Sequence, residues 1–204
     1  TAEMPDTYLP GEHDLVGIIT GVVDKKDMIT GEHIKAGDTI IGIPSSGLHT
    51  NGYSLARKIF FEIGGYGVED KIPELERSIG MTLLEPHINY TNHVFSILKN
   101  KIAVNGIAHI TGGGLIENIP RVLPSDCSAS IRKGSWPSLD VFVAMQSIGN
   151  IEENEMYRSF NMGIGMVFVV RDEDVPRISD ILKDLTPVYK IGEIVPGNGQ
   201  VIIG

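Results

Sequence analysis

Cysteine is nearly absent from this sequence, since Cys127 is the only one among 204 residues. A single thiol excludes an intramolecular disulfide and a CxxC metal site, and it fits a reducing compartment such as the cytoplasm. The six histidines also lack the spacing of zinc ligands. We therefore expect no zinc site, and we interpret Cys127 as a small core residue.

Basic residues are scarce, with 17 Lys and Arg against 26 Asp and Glu and a formal net charge of −9. Nucleic acids and anionic membranes attract clustered cations, so neither is expected as a partner. Long hydrophobic runs are missing too. The longest apolar stretches, residues 15–23 and 162–170, are far shorter than the roughly 20 residues that a membrane helix needs. We expect a cytoplasmic protein.

Hydrophobic residues make up 42% of the chain, enough for the core of one domain, which we expect to cover residues 1–204. The sequence begins at Thr1 without an initiator Met or leader character. We therefore expect that it has been cut from a longer protein.

Short β-branched segments alternate with helical patterns along the chain. The predicted strands are 15–23, 39–43, 102–110, 126–132, 165–170, 188–195 and 200–203. The predicted helices are 53–63, 86–100, 115–123, 138–148, 152–160 and 172–184. This alternation predicts an α/β (mixed α+β) fold, with a mixed β-sheet flanked by helices.

Two glycine-rich segments, each followed by an apolar helical pattern, are the candidate binding loops. Glycines let backbone N–H groups converge on one point, and a following helix adds the positive end of its dipole, so a phosphate is the expected ligand. The candidate residues are Ser45, Ser46, Gly47, His49, Asn51 and Gly52 in the first loop and Thr111, Gly112, Gly113 and Gly114 in the second.

The alternative interpretation of the first loop is a tight strand-to-helix turn in which Ser or Asn only caps the helix. The number of side-chain donors within seven residues favours binding. The loop is not a Walker A motif, because Tyr53 stands where the lysine is needed. The second segment taken alone fits a hinge or an oxyanion loop, but no G-x-S-x-G elbow occurs, so serine hydrolysis is not expected.

Two further groups of polar residues deserve a hypothesis. Glu3 and Asp6 carry carboxylates that suit Mg²⁺, although exposed acids near a chain start are more often simply solvated. Asn161 precedes two glycines, Gly163 and Gly165, and a buried strand. This pattern is typical of a close backbone approach by a ligand or by another element.

Four segments of the sequence form a specific pattern from end to end of the chain. They read TAEMP at 1–5, SSGLHTNGYSL at 45–55, HITGGGLIENIPRVLP at 109–124 and EMYRSFNMGIGM at 155–166. Together they resemble the phosphoribosylformylglycinamidine cyclo-ligase family, also called the aminoimidazole ribonucleotide synthetases. The resemblance is to the C-terminal α/β domain of that family, and the family's N-terminal nucleotide motif would lie upstream of Thr1.

The resemblance implies an ATP- and Mg²⁺-dependent ligase of de novo purine biosynthesis that acts as a homodimer. It would phosphorylate the formyl amide oxygen of formylglycinamidine ribonucleotide and close the ring to aminoimidazole ribonucleotide. In that hypothesis His49 is a charged donor or proton carrier, and the Ser45–Gly52 segment grips a phosphate. The second loop forms the opposite wall, Asn161 reaches the same cleft, and Glu3 is a metal ligand.

This resemblance also implies that the chain without its N-terminal domain lacks an ATP site and is inactive. Two alternatives stay open. One is another ATP-dependent enzyme of the same architecture, such as a selenophosphate synthetase, a thiamine monophosphate kinase or a hydrogenase maturation protein. The other is a non-catalytic module that binds phosphate or a partner.

Overall fold

The computed structural model describes residue 11 and residues 17–204 of the chain. Strands form where β-branched and small apolar residues cluster between glycines, prolines and polar turns. In this part of the chain they are β1 (Thr39–Pro44), β2 (Val104–His109), β3 (Cys127–Ile131), β4 (Ile164–Val170), β5 (Tyr189–Pro196) and β6 (Val201–Ile203).

The α-helices form where apolar residues recur with helical spacing. Within the described residues they are α1 (Tyr53–Arg57), α2 (Ile79–Leu83), α3 (Thr91–Lys99), α4 (Gly114–Asn118), α5 (Asp140–Gly149), α6 (Glu153–Ser159) and α7 (Val175–Leu182). A π-helical segment, Lys58–Ile63, continues α1. Short 3₁₀ segments cover Lys25–Asp27, Ile119–Val122 and Asp172–Asp174. None of the helices described is both long and apolar enough to cross a membrane.

The described strands form one mixed sheet in the order β2-β4-β1-β5-β3-β6. Neighbouring strands are antiparallel except for β3 and β6, which are parallel. β4 therefore lies between β1 and β2 and pairs with both. Since both neighbours run against β4, β1 and β2 run in the same direction and end at the same edge of the sheet.

The sheet is buried on both faces, and its side chains alternate between two apolar clusters as strand geometry requires. In β4, Val167 and Val169 pack into the larger cluster with residues of α1, α2, α4, α5 and α6. Phe168 and Val170 pack into the other cluster with residues of α3 and α7. The molecule is therefore a sheet between two helical layers, which confirms the predicted fold class.

Most predicted elements are confirmed, and the differences have physical reasons. The predicted helix 86–100 begins only at Thr91, where Asn89 accepts a hydrogen bond from the Thr91 N–H at 2.9 Å. The sequence analysis did not predict α2, a single turn whose first N–H groups include one bonded to the Ser78 hydroxyl. Pro120 lies in the 3₁₀ segment that follows α4, as expected for a helix that proline bends.

The predicted strand at residues 15–23 is wrong for the part that can be compared. Residues 17–23 are exposed and lie in no strand, and residues 15 and 16 lie outside the described part. Ile19 and Val22 are almost fully exposed. A β-branched sequence becomes a strand only where another strand pairs with it, and no described strand pairs with residues 17–23.

Candidate functional site

Three segments meet at the sheet edge where β1 and β2 end and β4 begins. We call them the first loop (residues 45–52), the glycine loop (residues 110–114) and the Asn161 connection (residues 160–163). The register places Pro44 of β1 opposite Ile164, and His109 of β2 opposite Met166. The topology thus brings together all the predicted loop residues, although the two loops are about sixty positions apart in the chain.

Backbone hydrogen bonds tie both loops to the start of β4. The Ser45 N–H donates to the Gly163 carbonyl at 2.9 Å, and the Ile110 N–H donates to the Gly165 carbonyl at 2.9 Å. Each bond lies directly after the last residue of its strand. The two loops therefore leave the sheet from fixed positions on either side of one strand.

The first loop has a left-handed backbone at two consecutive non-glycine residues. His49 has φ 54° and Thr50 has φ 63°, and Gly52 follows with φ 75°. The His49 carbonyl accepts bonds from the Thr50 hydroxyl at 2.6 Å and from the Asn51 amide at 2.8 Å. Such conformations cost free energy and cluster at functional sites, because only a surrounding structure that over-determines them maintains them.

The side chain of Asn161 is buried and makes three hydrogen bonds inside the protein. Its carbonyl oxygen accepts from the Ser45 hydroxyl and from the Gly163 N–H, and its amide donates to the Gly47 carbonyl, each at 2.8 Å. These bonds use the carbonyl oxygen and one of the two amide hydrogens, and a direct role of Asn161 in the cleft stays a prediction. Asn161 braces the first loop, and Ser45 is buried with it.

The glycine loop requires glycine at its last position. Gly114 has φ 57°, and a Cβ on it would lie 2.1 Å from the Tyr157 carbonyl oxygen of α6. Asn118 shapes the loop from inside, since its amide donates to the carbonyls of Gly114 at 2.8 Å and Gly112 at 3.1 Å. Its carbonyl oxygen accepts from the Thr111 hydroxyl at 3.0 Å.

The two loops also approach each other directly. A Cβ on Gly112 of the glycine loop would lie 3.5 Å from the Asn51 side-chain oxygen of the first loop. The first loop also packs against the Asn161 connection, since a Cβ on Gly52 would collide with the Phe160 ring. Gly47 and Ser46 line an open cavity of about 240 Å³ together with Arg77, Thr82 and Asp140. A ligand in this cavity would contact the first loop from outside the sheet.

His49 is buried, with only 1% of its surface exposed. Its Nε2 lies 3.0 Å from the Ser46 N–H and 2.8 Å from the Ser46 hydroxyl oxygen. Because a backbone N–H can only donate, Nε2 is the acceptor and the ring proton belongs on Nδ1. Nδ1 is buried, and no hydrogen-bond partner for it is found among the described residues.

Burial and, to a smaller extent, the neighbouring His87 and His109 together lower the pKa of His49 to about 4. The imidazole is therefore neutral at pH 7. This corrects the expectation of a charged donor: desolvation and two nearby imidazoles disfavour the cation. Proton exchange through the neutral ring stays a prediction.

His87 is the residue of this site that sequence reasoning missed. It lies between α2 and α3, in a segment predicted to be helical, and its ring stacks on His49 with centroids 4.1 Å apart. Its Nε2 lies 3.1 Å from Nε2 of His109, the last residue of β2. A lone histidine in a polar stretch gives no sequence signal, because only the fold brings it to the loops.

The candidate metal ligand Glu3 lies outside the described residues. In the part of the chain that is described, no group of three or more His, Cys, Asp or Glu side chains is placed to hold a metal ion. The described residues thus do not fit a magnesium site of their own, and no step of chemistry is assigned to Mg²⁺ here.

A sheet between two helical layers defines an α/β class of fold that this chain shares with other proteins of known structure. A thiamine-monophosphate kinase from Stenotrophomonas maltophilia has a TM-score of 0.60 at 16% identity, over 89% of this chain and 54% of that one. Hydrogenase maturation protein HypE, solved in complex with ATP, has a TM-score of 0.54 at 15% identity, over 85% of this chain and 49% of the HypE chain. These likenesses show the shared fold.

Residues 35–204 match the family described as AIR synthase related protein, C-terminal domain, and the chain belongs to that family. It is 48% identical over 204 residues to a phosphoribosylformylglycinamidine cyclo-ligase of Thermoanaerobacter sp., covering all of this chain and 60% of the relative. It is 50% identical over 195 residues to one of Geobacter metallireducens, covering 95% and 56%. The chain thus spans less than two thirds of the length of these relatives.

Proposed function

We propose that this chain is the C-terminal part of an ATP-dependent ligase that converts formylglycinamidine ribonucleotide to aminoimidazole ribonucleotide in purine biosynthesis. The observation that carries the proposal is the 48% identity to a named cyclo-ligase along the whole chain. The convergence of both glycine-rich loops at one sheet edge supports it, because the reaction needs two substrate ends held in near-attack geometry.

In this proposal the first loop and the glycine loop bind a phosphate from opposite sides. Gly47, Gly52, Gly112 and Gly113 let the backbone approach the anion closely. The Ser46 and Thr50 hydroxyls donate to the carbonyls of Pro86 and His49, so the donors of this proposal are backbone N–H groups. The ligand is the ribose phosphate of the substrate or the phosphoryl group in transfer. Positioning and electrostatic stabilisation supply most of the rate enhancement in phosphoryl transfer.

The neutral His49 then acts through its acceptor nitrogen rather than as a cation. Nε2 lies 2.8 Å from the Ser46 hydroxyl oxygen, whose hydrogen is donated to the Pro86 carbonyl at 2.6 Å. When that hydroxyl turns towards Nε2, the ring can take up a proton that leaves by way of it. Asn161 contributes by position, because its three hydrogen bonds fix the shape of the loop that carries Ser46 and His49.

The proposed reaction needs ATP and Mg²⁺. In this proposal they bind mainly to the part of the enzyme that the relatives have and this chain does not span. HypE was solved with ATP, which supports nucleotide use by this class of fold. Glu3 remains the proposed metal ligand from this chain. We further propose that residues 1–204 act as a single C-terminal domain, that the whole enzyme is a cytoplasmic homodimer, and that this part alone is inactive.

The first test is calorimetric titration of the chain with formylglycinamidine ribonucleotide, with inorganic phosphate, and separately with Mg-ATP. We expect the ribonucleotide to bind, phosphate to compete with it, and Mg-ATP not to bind. Binding of Mg-ATP with no binding of the ribonucleotide would contradict the assignment of the loops.

The second test restores the missing part by joining the upstream region of the Thermoanaerobacter relative to this chain and measuring ring closure. His49→Ala is then expected to lower kcat by about a hundredfold, as loss of a proton-transfer group does. His33→Ala is the matched control, because the His33 side chain is 81% exposed. Unchanged turnover in His49→Ala would remove its proposed role, and a joined protein without any activity would contradict the proposed reaction.

A further inference from the structure

Three imidazoles from three separate segments form a row across the site. His49 belongs to the first loop, His87 to the connection between α2 and α3, and His109 to the end of β2. The rings of His49 and His87 are nearly parallel, at 15°, with centroids 4.1 Å apart. The Nε2 atoms of His87 and His109 are 3.1 Å apart, which is hydrogen-bond distance.

A contact between two Nε2 atoms requires one proton between them. One ring must donate and the other must accept, so the two histidines hold complementary tautomers. The bond survives when the donor ring takes a second proton on its Nδ1, because the acceptor nitrogen stays free. It breaks when the acceptor ring is protonated on its Nε2, because both Nε2 atoms then carry hydrogen and two donors face each other.

Tyr90, in the segment leading into α3, packs beside all three imidazole rings and connects them to the end of β1. Its hydroxyl donates to the Pro44 carbonyl at 2.7 Å, at the end of β1. Its ring lies 6.0 Å from His49, 6.3 Å from His87 and 6.2 Å from His109, centroid to centroid. The row is thus anchored to the sheet edge that carries both loops.

The titratable groups that face His87 come from each neighbouring element. They are His49, His109, Tyr90 and, on α3, His93, whose ring centroid is 5.5 Å from that of Tyr90. Glu85, two residues before His87, is paired with Arg77. The other described residues lining the cavity of about 410 Å³ beside His87 and His109 are uncharged, namely Ile88, Asn89, Thr91, Val94, Phe95 and Met166.

We propose that His87 is a positioning residue that couples the first loop to the glycine loop through its stack on His49 and the single proton it shares with His109. The coupling follows from the geometry of the row, whereas its effect on turnover rests on the proposed function. Protonation of the acceptor Nε2 in the His87–His109 pair separates the rings and frees the two loops to move independently. The site is therefore assembled at neutral pH and loosened in mild acid.

The direction of this pH effect agrees with the surroundings of the pair. Both residues are exposed overall, but the part of each ring that is covered loses solvation. This desolvation lowers the pKa of His87, and desolvation together with the nearby His87 lowers the pKa of His109. Both rings therefore resist charging at neutral pH. The state with hydrogen on both Nε2 atoms is therefore favoured as the pH falls below neutral.

The test is an NMR titration of the chain labelled with ¹⁵N and ¹³C, in which the tautomer and pKa of each imidazole are read directly. We expect complementary Nε2 states for His87 and His109. His87→Phe keeps an aromatic ring against His49 and removes the shared proton, so the His109 pKa should rise. The amide signals of the first loop and the glycine loop should then shift together.

Two controls keep this result interpretable. His33→Phe introduces the same substitution at an exposed histidine and should leave both loops unchanged. Circular dichroism should show that His87→Phe unfolds at the same temperature as the parent chain, because His87 is exposed. Identical tautomers in the pair, an unmoved His109 pKa, or a response confined to one loop would overturn the proposal.

Kinetics of the joined protein separate this inference from the proposed function. His87→Phe should lower kcat/KM by about tenfold and shift the acidic limb of the pH profile, because small errors in position are costly. His87→Gln, which can still bond to His109, should recover part of the loss. If the joined parent protein is inactive, the proposed function fails while the NMR result stands; a His87→Phe enzyme with the parent's pH profile overturns the positioning role.

Discussion

Replacing Asn161 by Ala should be among the most damaging single changes to this fold. The substitution removes three hydrogen bonds of 2.8 Å at a side chain that is 3% exposed. It leaves the Gly163 N–H, the Gly47 carbonyl and the Ser45 hydroxyl without this partner. Each buried unpaired group costs about 1–3 kcal/mol, and because the three share one cavity we expect a loss of about 3–5 kcal/mol.

The assay is urea unfolding followed by circular dichroism, with thermal unfolding as a second measurement. For a chain of this size, a loss of about 1 kcal/mol in the free energy of unfolding lowers the thermal unfolding midpoint by about 2–4 °C. The thermal midpoint of Asn161→Ala should therefore fall by about 10 °C. Asn198→Ala is the matched control, because Asn198 is exposed and its described bond uses the backbone N–H. Its effect should stay within about 0.5 kcal/mol. A loss below about 1 kcal/mol for Asn161→Ala would refute the bracing role.

Two further predictions concern the loops. Gly114→Ala should cost about 3 kcal/mol or more in urea unfolding, because its Cβ would lie 2.1 Å from the Tyr157 carbonyl oxygen; Gly65→Ala, also at positive φ but in open space, should cost only about 1 kcal/mol. The free energy of unfolding should fall as the pH drops from about 6.5 to about 4, since the unfolded chain protonates His49 there and the folded chain does not. His49→Gln should flatten that slope, and equal slopes would contradict a buried neutral ring.

The sequence was sufficient to predict most of the sheet and the location of the candidate site. Strands such as β1 and β4 are recognisable because β-branched runs end at glycine, proline or polar residues. The first loop and the glycine loop are recognisable because positive φ angles and close backbone contacts select glycine, as at Gly52 and Gly114. These signals are local, so a single sequence contains them.

Features that depend on tertiary contacts were not predictable. The sequence around Asn161 is the same whether its amide faces a cleft or the interior. The direction of the amide depends on Ser45 and Gly47, which lie more than a hundred positions earlier in the chain and bond to it in the fold. His87 joins the site because α2 and α3 present their connection to the end of β2. Residues 17–23 have the composition of a strand, but pairing depends on a neighbour that composition does not specify.

The position of β4 between β1 and β2 has a consequence for where this chain tolerates an insertion. The pairing of three strands sets where the two loops leave the sheet. The chain that joins β1 to β2 adds the contacts of His87 with His49 and His109. That joining chain includes an exposed stretch at residues 67–71. Within it the Val68 and Asp70 carbonyls accept hydrogen bonds from Gly80 and Ile79 at the start of α2. A short insertion at Glu69 that keeps these bonds should therefore leave both loops on their strands and His87 in place.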